Sequence, residues 1–370
     1  MDFTLTEAQQ DLASLTRRIL TDKVTPEVLG PHGSGGFDAP LWTALAQAGV
    51  VDAALPQRVG GGGFGLLEQC SVLAEIGRAV APVPYLTSVV MAATAVAEFE
   101  ARSPAENPSA RSGDGRLAER WVVPVLRGEH VLAVALPDYG VPCGFTAEAD
   151  GDGWRLTGAQ TAVASGAFAH GFLVEAAIDG GRQVFLLDRD SVTVSPQRTV
   201  DHADAALVEL PGARSSVSLG DIGEWLRLRG TIGVCAQQLG VVERALELTA
   251  AYAREREQFG HLIGSFQAVR QRLADAYVDV EAVRLTLWQA AWRLSEGLPA
   301  AEEVATAKFW AAEAGHRVAH TAVHVHGGVG IDVDHTLHRY FVAAKRLEFT
   351  LGGATAQARG LGDLLAADPA

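Results

Sequence analysis

The sequence predicts an α+β fold, in which one β region separates two helical regions along the chain. Apolar residues recur at helical spacing in the first part of the chain and again in its last part. Between these parts, short β-type runs are separated by turn signals such as "DGDG" at residues 150–153. A length of 370 residues suits two or three packed units. We therefore predict a helical domain over residues 1–122, an antiparallel β domain over 123–220 and a helical domain over 221–370.

The first helical region begins with a capping box made by Thr6 and Gln9, and it continues at helical spacing through Leu12, Leu15 and Ile19. The segment "RVGGGGFG", residues 58–65, resembles a dinucleotide or phosphate loop. Because no β-rich run precedes it and no Gly-Lys-Ser/Thr follows it, a flexible connector between two helices is favoured. Residues 103–116 are rich in Pro, Ser and Gly and predict a surface loop.

The net charge of −14 argues against nucleic acid or an anionic membrane as the main partner. An anionic ligand would therefore need a local cluster of positive groups. No apolar run is long enough to span a membrane, and the polar N-terminus is unlike a signal peptide. Cys70, Cys143 and Cys235 are scattered, which predicts a reducing compartment and no zinc site. We expect a cytoplasmic protein.

The "DGDG" turn in the β region invites comparison with a calcium loop. The twelfth position of such a loop would be Thr161, where a glutamate ligand is needed. A hairpin turn is therefore the favoured interpretation.

The last region contains a long apolar stripe that alternates steps of four and three residues. Its members are Val269, Leu273, Ala276, Val280, Val283, Leu287, Ala290 and Leu294. A stripe of this length predicts packing against other helices, in a bundle or across a subunit interface.

Just before that stripe, a charged helical run that contains Arg256 breaks at Phe259 and Gly260, and the helical pattern resumes at Phe266-Gln267. The helix dipole favours a cation at this end, so a capping arginine with Phe259 and Gln267 as two core residues would explain these residues on their own. The functional alternative is a guanidinium group offered to a phosphate, with Phe259 as an apolar wall.

A second cluster follows in "HTAVHVHGGVGIDVDHTLHRYFVAAKR", residues 320–346, where glycines interrupt a helix and would let a ligand approach the backbone. His316, His320 and His324 are spaced four apart and could line one helical face. A metal site is possible, but the H-E-x-x-H arrangement is missing. Packed or ligand-facing histidines are favoured.

These motifs together resemble the acyl-CoA dehydrogenase family. The resemblance is carried by Arg-x-x-Phe-Gly, by Gln267 eight residues after Phe259, and by "HGGVGI…LHRY". Residues 117–136 and 156–174 are also similar to the family's β-domain segments. The resemblance covers nearly the whole chain, and it implies a C-terminal four-helix bundle and an FAD bound at a subunit interface.

The resemblance implies that Arg256 reaches the FAD pyrophosphate of a neighbouring subunit. Phe259 and Gln267 would line the same FAD, and Gly327 and Gly328 would accommodate its ADP part. His324 lies where many members have glutamine.

The sequence departs from the family at the catalytic base, so no catalytic residue is assigned. The family's two base positions correspond to Leu351 or Gly352 and to Gly230, and none of these is acidic. Glu348 is the nearby alternative. The flavin-facing segments are also altered, to "ALPDYGVP" at residues 135–142 and "AVA" at residues 162–164.

Three interpretations remain open on the sequence. The first is a subunit of a heterotetrameric acyl-CoA dehydrogenase that contributes the ADP-side clamp to a homologous catalytic partner. Short chains of this kind resemble the smaller subunits of bacterial enzymes acting on steroid side-chain CoA thioesters. The second is a self-sufficient homo-oligomer with a displaced base such as Glu348, and the third is a non-enzymatic scaffold.

Overall fold

The computed structural model describes residues 4–25, 36–101 and 117–367, so the surface loop predicted at 103–116 lies outside the described residues. The chain divides into two compact units, which are described separately. One unit contains the first helix, Cys70–Ala81 and the chain from Thr231 onward. The other contains the segment ending at Gln69 and Pro82–Gly230. The three-domain boundaries stay a prediction.

The helices before the sheet are α1 (Glu7–Lys23), α2 (Ala39–Gln47), α3 (Leu66–Ala79), α4 (Thr94–Glu100) and α5 (Val123–Leu126). π-Helical segments lead into the last two, at Tyr85–Ala93 and Ala118–Val122. The capping box at the start of α1 is confirmed, because Thr6 and Gln9 exchange side-chain and backbone hydrogen bonds.

The glycine-rich segment does connect α2 to α3, but its backbone is held closely. The N–H of Gly61 donates to the carbonyl of Pro56 and that of Gly63 to the carbonyl of Leu55. A Cβ at Gly61 would lie 2.2 Å from the carbonyl oxygen of Leu55. Close packing of the backbone therefore explains why glycines occur in this turn. The flexible connector expected from the sequence is not required to explain them.

An eight-stranded sheet forms the centre of the second unit. Its strands are β1 (Leu132–Ala135), β2 (Phe145–Asp150), β3 (Gly153–Ala164), β4 (Gly171–Ile178), β5 (Gly181–Asp188), β6 (Thr193–Gln197), β7 (Ala205–Ser215) and β8 (Ser218–Gly220). The order is β6-β7-β3-β2-β4-β5-β8, with β1 beside β4. The sheet core includes the fully buried rings of Phe145, Phe172 and Phe185.

Most neighbouring strands are antiparallel, as predicted, but the sheet is mixed. β1 runs parallel to β4 from Leu132 to Ala135, and β2 pairs with β4 in parallel at Thr146. Apolar alternation in a sequence shows which face of a strand is buried and not the direction of its neighbour, so this feature was not predictable from the pattern. The "DGDG" segment is the predicted hairpin turn between β2 and β3, with Gly151 at φ +68°.

The later helices are α6 (Gly223–Glu255), α7 (Gln267–Ser295), α8 (Ala301–His326), α9 (Thr336–Phe349) and α10 (Ala354–Ala367). The predicted stripe on α7 is confirmed, since Ala276, Val280, Val283, Leu287 and Ala290 are buried. α8 packs against α7, α9 and α10. No helix in the described ranges is both long enough and apolar enough to cross a membrane.

This helical unit also includes α1 and most of α3, which were expected in the N-terminal domain. The carboxylate of Glu75 on α3 accepts hydrogen bonds from Arg17 on α1. A Cβ at Gly77 of α3 would lie 2.0 Å from the carbonyl oxygen of Gln237 on α6. Glycine therefore permits the close approach of these two helices, which adds to the predicted four-helix bundle.

Candidate functional site

The corner that follows α6 is a tight two-residue hairpin. α6 ends at Glu255, and the next N–H, that of Arg256, donates to the carbonyl of Tyr252 at 2.9 Å. Two short strands, Glu257–Gln258 and His261–Leu262, are joined through Phe259 and Gly260. Both linking residues have positive φ, +56° and +74°. This is the geometry of a type I′ turn, in which a bulky first residue is strained.

Phe259 is 92% exposed although it is a large apolar residue. A strained backbone costs about 1–3 kcal/mol, and an exposed aromatic side chain in the same place gains nothing from burial within this chain. Strain and exposure together favour a residue that is placed for a ligand or a neighbouring subunit.

The side chains of Arg256 and Gln267 are exposed beside this turn. Among the residues that the structure describes, neither side chain forms a hydrogen bond or an ion pair. Gln267 is the first residue of α7. The predicted anion-binding guanidinium is therefore free for an external partner.

The glycine turn lies at the end of α8, where Gly327 has φ +66°. A Cβ added at Gly327 or Gly328 would meet no atom within 4 Å. By contrast, a Cβ at Gly330 would lie 2.9 Å from the Cα of Val323. The first two glycines thus face open space, as a close backbone approach by a ligand requires, whereas Gly330 serves internal packing.

The corner and the glycine turn meet at one end of the helical unit. The ring of Tyr252, one turn before Arg256, stacks on that of His326, immediately before Gly327, with centroids 4.3 Å apart. His324 is exposed on the last turn of α8. The structure therefore brings the two sequence motifs together, and it adds Tyr252 and His326, which the motif analysis missed. An aromatic residue one helical turn before Arg256 was the available signal.

These residues fit the pyrophosphate and ADP part of FAD. An unpaired guanidinium can donate two hydrogen bonds to a phosphate, and Phe259 offers an exposed apolar face. The open space over Gly327 and Gly328 admits a ligand close to the backbone. The assignment of six residues to FAD binding stays a proposal; they are Arg256, Phe259, Gln267, His324, Gly327 and Gly328.

The segments that the family uses for the flavin ring have small side chains here. Ala162 in β3 has φ +56°, and its N–H donates to the side-chain oxygen of Gln197 at 2.7 Å. Val163 is buried, and Ala164 offers only a methyl group. These residues can supply neither an aromatic face nor a hydroxyl donor.

The helical unit contains no acidic residue at the expected C-terminal base position. Leu351 is buried at φ +59°, and Gly352 follows at φ +98°. The Gln357 side-chain amide donates to the Leu351 carbonyl at 3.0 Å. The third candidate position, Gly230, lies within α6. None of these residues can accept a proton from a substrate.

The histidines on α8 do not gather ligands for a metal. The rings of His316 and His320 are 4.4 Å apart, and the Nδ1 atom of His316 lies 3.0 Å from the ammonium nitrogen of Lys345. Within the described ranges, no group of three or more His, Cys, Asp or Glu residues could hold a metal ion.

Comparison with known proteins gives the family. The acyl-CoA dehydrogenase N-terminal domain model matches residues 6–129, and the C-terminal domain model matches residues 228–362. The chain is 47% identical to the acyl-CoA dehydrogenase FadE27 of Mycobacterium tuberculosis, and the match covers 100% of both sequences.

Two solved structures are also similar over nearly all of the chain. A chain in the ChsE4-ChsE5 complex from Mycobacterium tuberculosis has 48% identity and a TM-score of 0.91, covering 100% of both chains. A chain from a variant of the Tcur3481-Tcur3483 steroid ACAD has 38% identity and a TM-score of 0.89, covering 98% of this chain and 99% of that one.

The chain therefore belongs to the acyl-CoA dehydrogenase family. The predicted fold, the oxidoreductase class acting on CH–CH bonds of acyl-CoA, and FAD as the cofactor are confirmed by this membership.

Proposed function

We propose that this chain is one subunit of a heterotetrameric, FAD-dependent acyl-CoA dehydrogenase and that it contributes the ADP-side clamp to a homologous catalytic chain. The substrate class we propose is a steroid side-chain CoA thioester. The observation that carries the proposal is a contrast between two sets of residues. The exposed residues that could bind the FAD of a neighbouring subunit are present, whereas the catalytic base and the flavin-ring contacts that this chain would need for its own active site are absent.

The outward set consists of Arg256, Phe259, Gln267 and the turn at Gly327 and Gly328. All five are exposed on the single chain. A residue that bound a cofactor held by its own chain would be expected to lie in a pocket formed by that chain, where neighbouring side chains fix its position. Exposure on one end of the helical unit supports action on the cofactor of a neighbouring subunit.

The absent set is the base and the flavin-ring contacts. When bound, FAD supplies the hydride acceptor for α,β-dehydrogenation, and a carboxylate must remove the α-proton. Leu351, Gly352 and Gly230 offer no carboxylate. The partner chain would therefore supply the base, while Arg256 of this chain would hold the pyrophosphate and the open glycine turn would admit the ADP part.

The similar proteins support this partnership. One structural relative was solved as the ChsE4-ChsE5 complex, and another comes from a steroid ACAD containing two named components. The self-sufficient and scaffold alternatives are not favoured by these matches. The cytoplasmic location stays a prediction that rests on the three cysteines, none of which forms a disulfide bond.

The test is to purify the chain alone, the homologous chain encoded by the neighbouring gene alone, and both together. Flavin absorbance and turnover with an artificial electron acceptor are then measured for each. We expect turnover only from the pair, with about one FAD for each pair of unlike chains, because one of the two site types is complete. Robust turnover by this chain alone would reject the proposal.

A further inference from the structure

The two halves of the proposed clamp come from segments that are far apart in the sequence, and a ring stack joins them. His326 is the last residue of α8, and Gly327 begins the glycine turn. Tyr252 lies in the last turn of α6, and its carbonyl accepts the N–H of Arg256. The two rings stack at 4.3 Å with an interplanar angle of 19°.

His326 is fixed by its surroundings. It is 6% exposed, and its Nδ1 donates to the carbonyl of Ala322 at 2.9 Å, one turn earlier in α8. Burial lowers the pKa of His326, which favours the neutral ring that packs as an uncharged aromatic face. A neutral ring held by one hydrogen bond and one stacking contact has little freedom to rotate.

A third ring extends the stack to α9. The ring of His335 lies 5.5 Å from that of His326 at 60°. His335 is the N-cap of α9, and its Nδ1 accepts the N–H of Leu337 at 3.2 Å. The end of the glycine turn is therefore anchored to the same stack as its beginning.

Close backbone packing holds both loops against their helices. A Cβ at Gly264, after the hairpin, would lie 2.7 Å from the carbonyl oxygen of Ala253 on α6. A Cβ at Gly330 would lie 3.1 Å from the Cβ of His326. Each loop is thus packed closely on its own helix, so the placement of Arg256 relative to Gly327 depends on how α6 and α8 pack together.

We propose that the stack of Tyr252 on His326 is a positioning device that sets the distance between Arg256 and the glycine turn, and so matches the clamp to the spacing between the pyrophosphate and the adenosine of FAD. This inference rests on the proposed function. Neither residue touches the cofactor in this scheme. Each acts through a neighbour: Tyr252 through Arg256, and His326 through Gly327.

The test uses the assembled complex of both chains and measures the dissociation constant of FAD by flavin fluorescence, with thermal unfolding as a parallel readout. His326→Ala should weaken FAD binding about tenfold, a coupling typical of residues that share one network. Tyr252→Leu should do the same, whereas Tyr252→Phe keeps the ring and should bind FAD like the unmodified complex. Rescue by phenylalanine would show that the ring of residue 252 is needed and its hydroxyl group is not, and equal melting temperatures of the leucine and phenylalanine variants would show that the loss of FAD binding is not a loss of stability.

A double variant separates positioning from general destabilisation. If His326 acts by placing the turn relative to Arg256, then His326→Ala should weaken FAD binding much less in an Arg256→Ala background. Additive losses would overturn the inference while leaving the clamp intact. An Arg256→Ala complex that binds FAD normally would overturn the clamp itself. Should His326→Ala fail to assemble, the Tyr252→Leu and Tyr252→Phe pair in both backgrounds decides the question.

Discussion

The carboxylate of Glu348 lies 2.5 Å from the ammonium nitrogen of Lys345, one turn earlier on α9. The same carboxylate is 3.5 Å from Nδ1 of His316, and its side chain is only 13% exposed. Glu348 is the one acidic residue near the family's C-terminal base position. Its carboxylate is thus held by Lys345 and His316 within the helical unit and is largely buried, which does not present it to a substrate.

Glu348→Gln should therefore leave the turnover of the assembled complex unchanged within about twofold, whereas loss of a true base costs about 10²–10⁴-fold. Loss of the charge pair with Lys345, whose ammonium keeps its contact with His316, should lower the free energy of unfolding by about 1 kcal/mol. Steady-state turnover and denaturant unfolding measure the two effects. The double variant Glu348→Gln with Lys345→Gln is the control and should recover part of the stability. Loss of turnover on Glu348→Gln would support the displaced-base alternative.

Arg256→Ala should weaken FAD retention by about 1.5–3 kcal/mol, since it removes a charge-assisted contact to phosphate. The matched control is Arg254→Ala. Arg254 is also exposed at the end of α6, but its Nε donates to the carbonyl of Ala250 at 3.2 Å. FAD content after gel filtration of the assembled complex distinguishes them. Equal FAD retention by the two variants would mean that Arg256 is only a helix-terminal residue.

Two glycines of the same turn should respond differently to a side chain. Gly328→Val places its branches in open space, so we expect an unchanged melting temperature and a loss of FAD occupancy. Gly330→Val is the contrasting variant, because its Cβ would lie 2.9 Å from the Cα of Val323 and should destabilise the helical unit. The readouts are thermal unfolding and bound flavin. Normal FAD affinity in Gly328→Val would mean that the turn only ends the helix and does not contact the cofactor.

Much of the fold was predictable because its signals are local. The capping box at Thr6, the stripe on α7 and the hairpin at residues 150–153 each depend on residues within a few positions of one another. The exposed corner at Arg256 and Phe259 was also found from a short motif. These features do not need knowledge of which distant segments come together.

Most of the features that were missed are non-local, although the close packing of the glycine-rich turn on Leu55 is local. The parallel pairing of β1 with β4 joins Leu132 to Gly171, and no short pattern reports it. The Tyr252–His326 stack joins residues on different helices, and the grouping of Glu75 with Arg17 moves most of α3 into the helical unit. Sequence periodicity indicates which face of each helix or strand is buried, but it does not indicate which other element packs against that face.

Asp204 offers a test of pH dependence in the sheet unit. Its carboxyl accepts hydrogen bonds from the backbone N–H groups of Ala167 and Phe168, and its carbonyl accepts that of Ser165 at 3.3 Å. Its second carboxyl oxygen, Oδ2, is buried with no hydrogen-bond partner in the part of the chain that the structure describes. Burial raises the pKa of Asp204 to about 6, despite the opposing effect of the two backbone donors.

A pKa raised on folding means that the native state holds the Asp204 proton more tightly than the unfolded chain, whose ordinary aspartate pKa is about 3.9. Its contribution to stability is complete below about pH 4 and is lost as the pH rises through the folded-state pKa of about 6. Asp204→Asn removes this titration. We therefore expect the melting temperature of the variant to rise relative to that of the unmodified protein as the pH increases from 4 to 6. Above pH 6 the difference between the two melting temperatures should stay constant. Parallel curves for the two proteins from pH 4 to pH 7 would show that Asp204 does not titrate in this window.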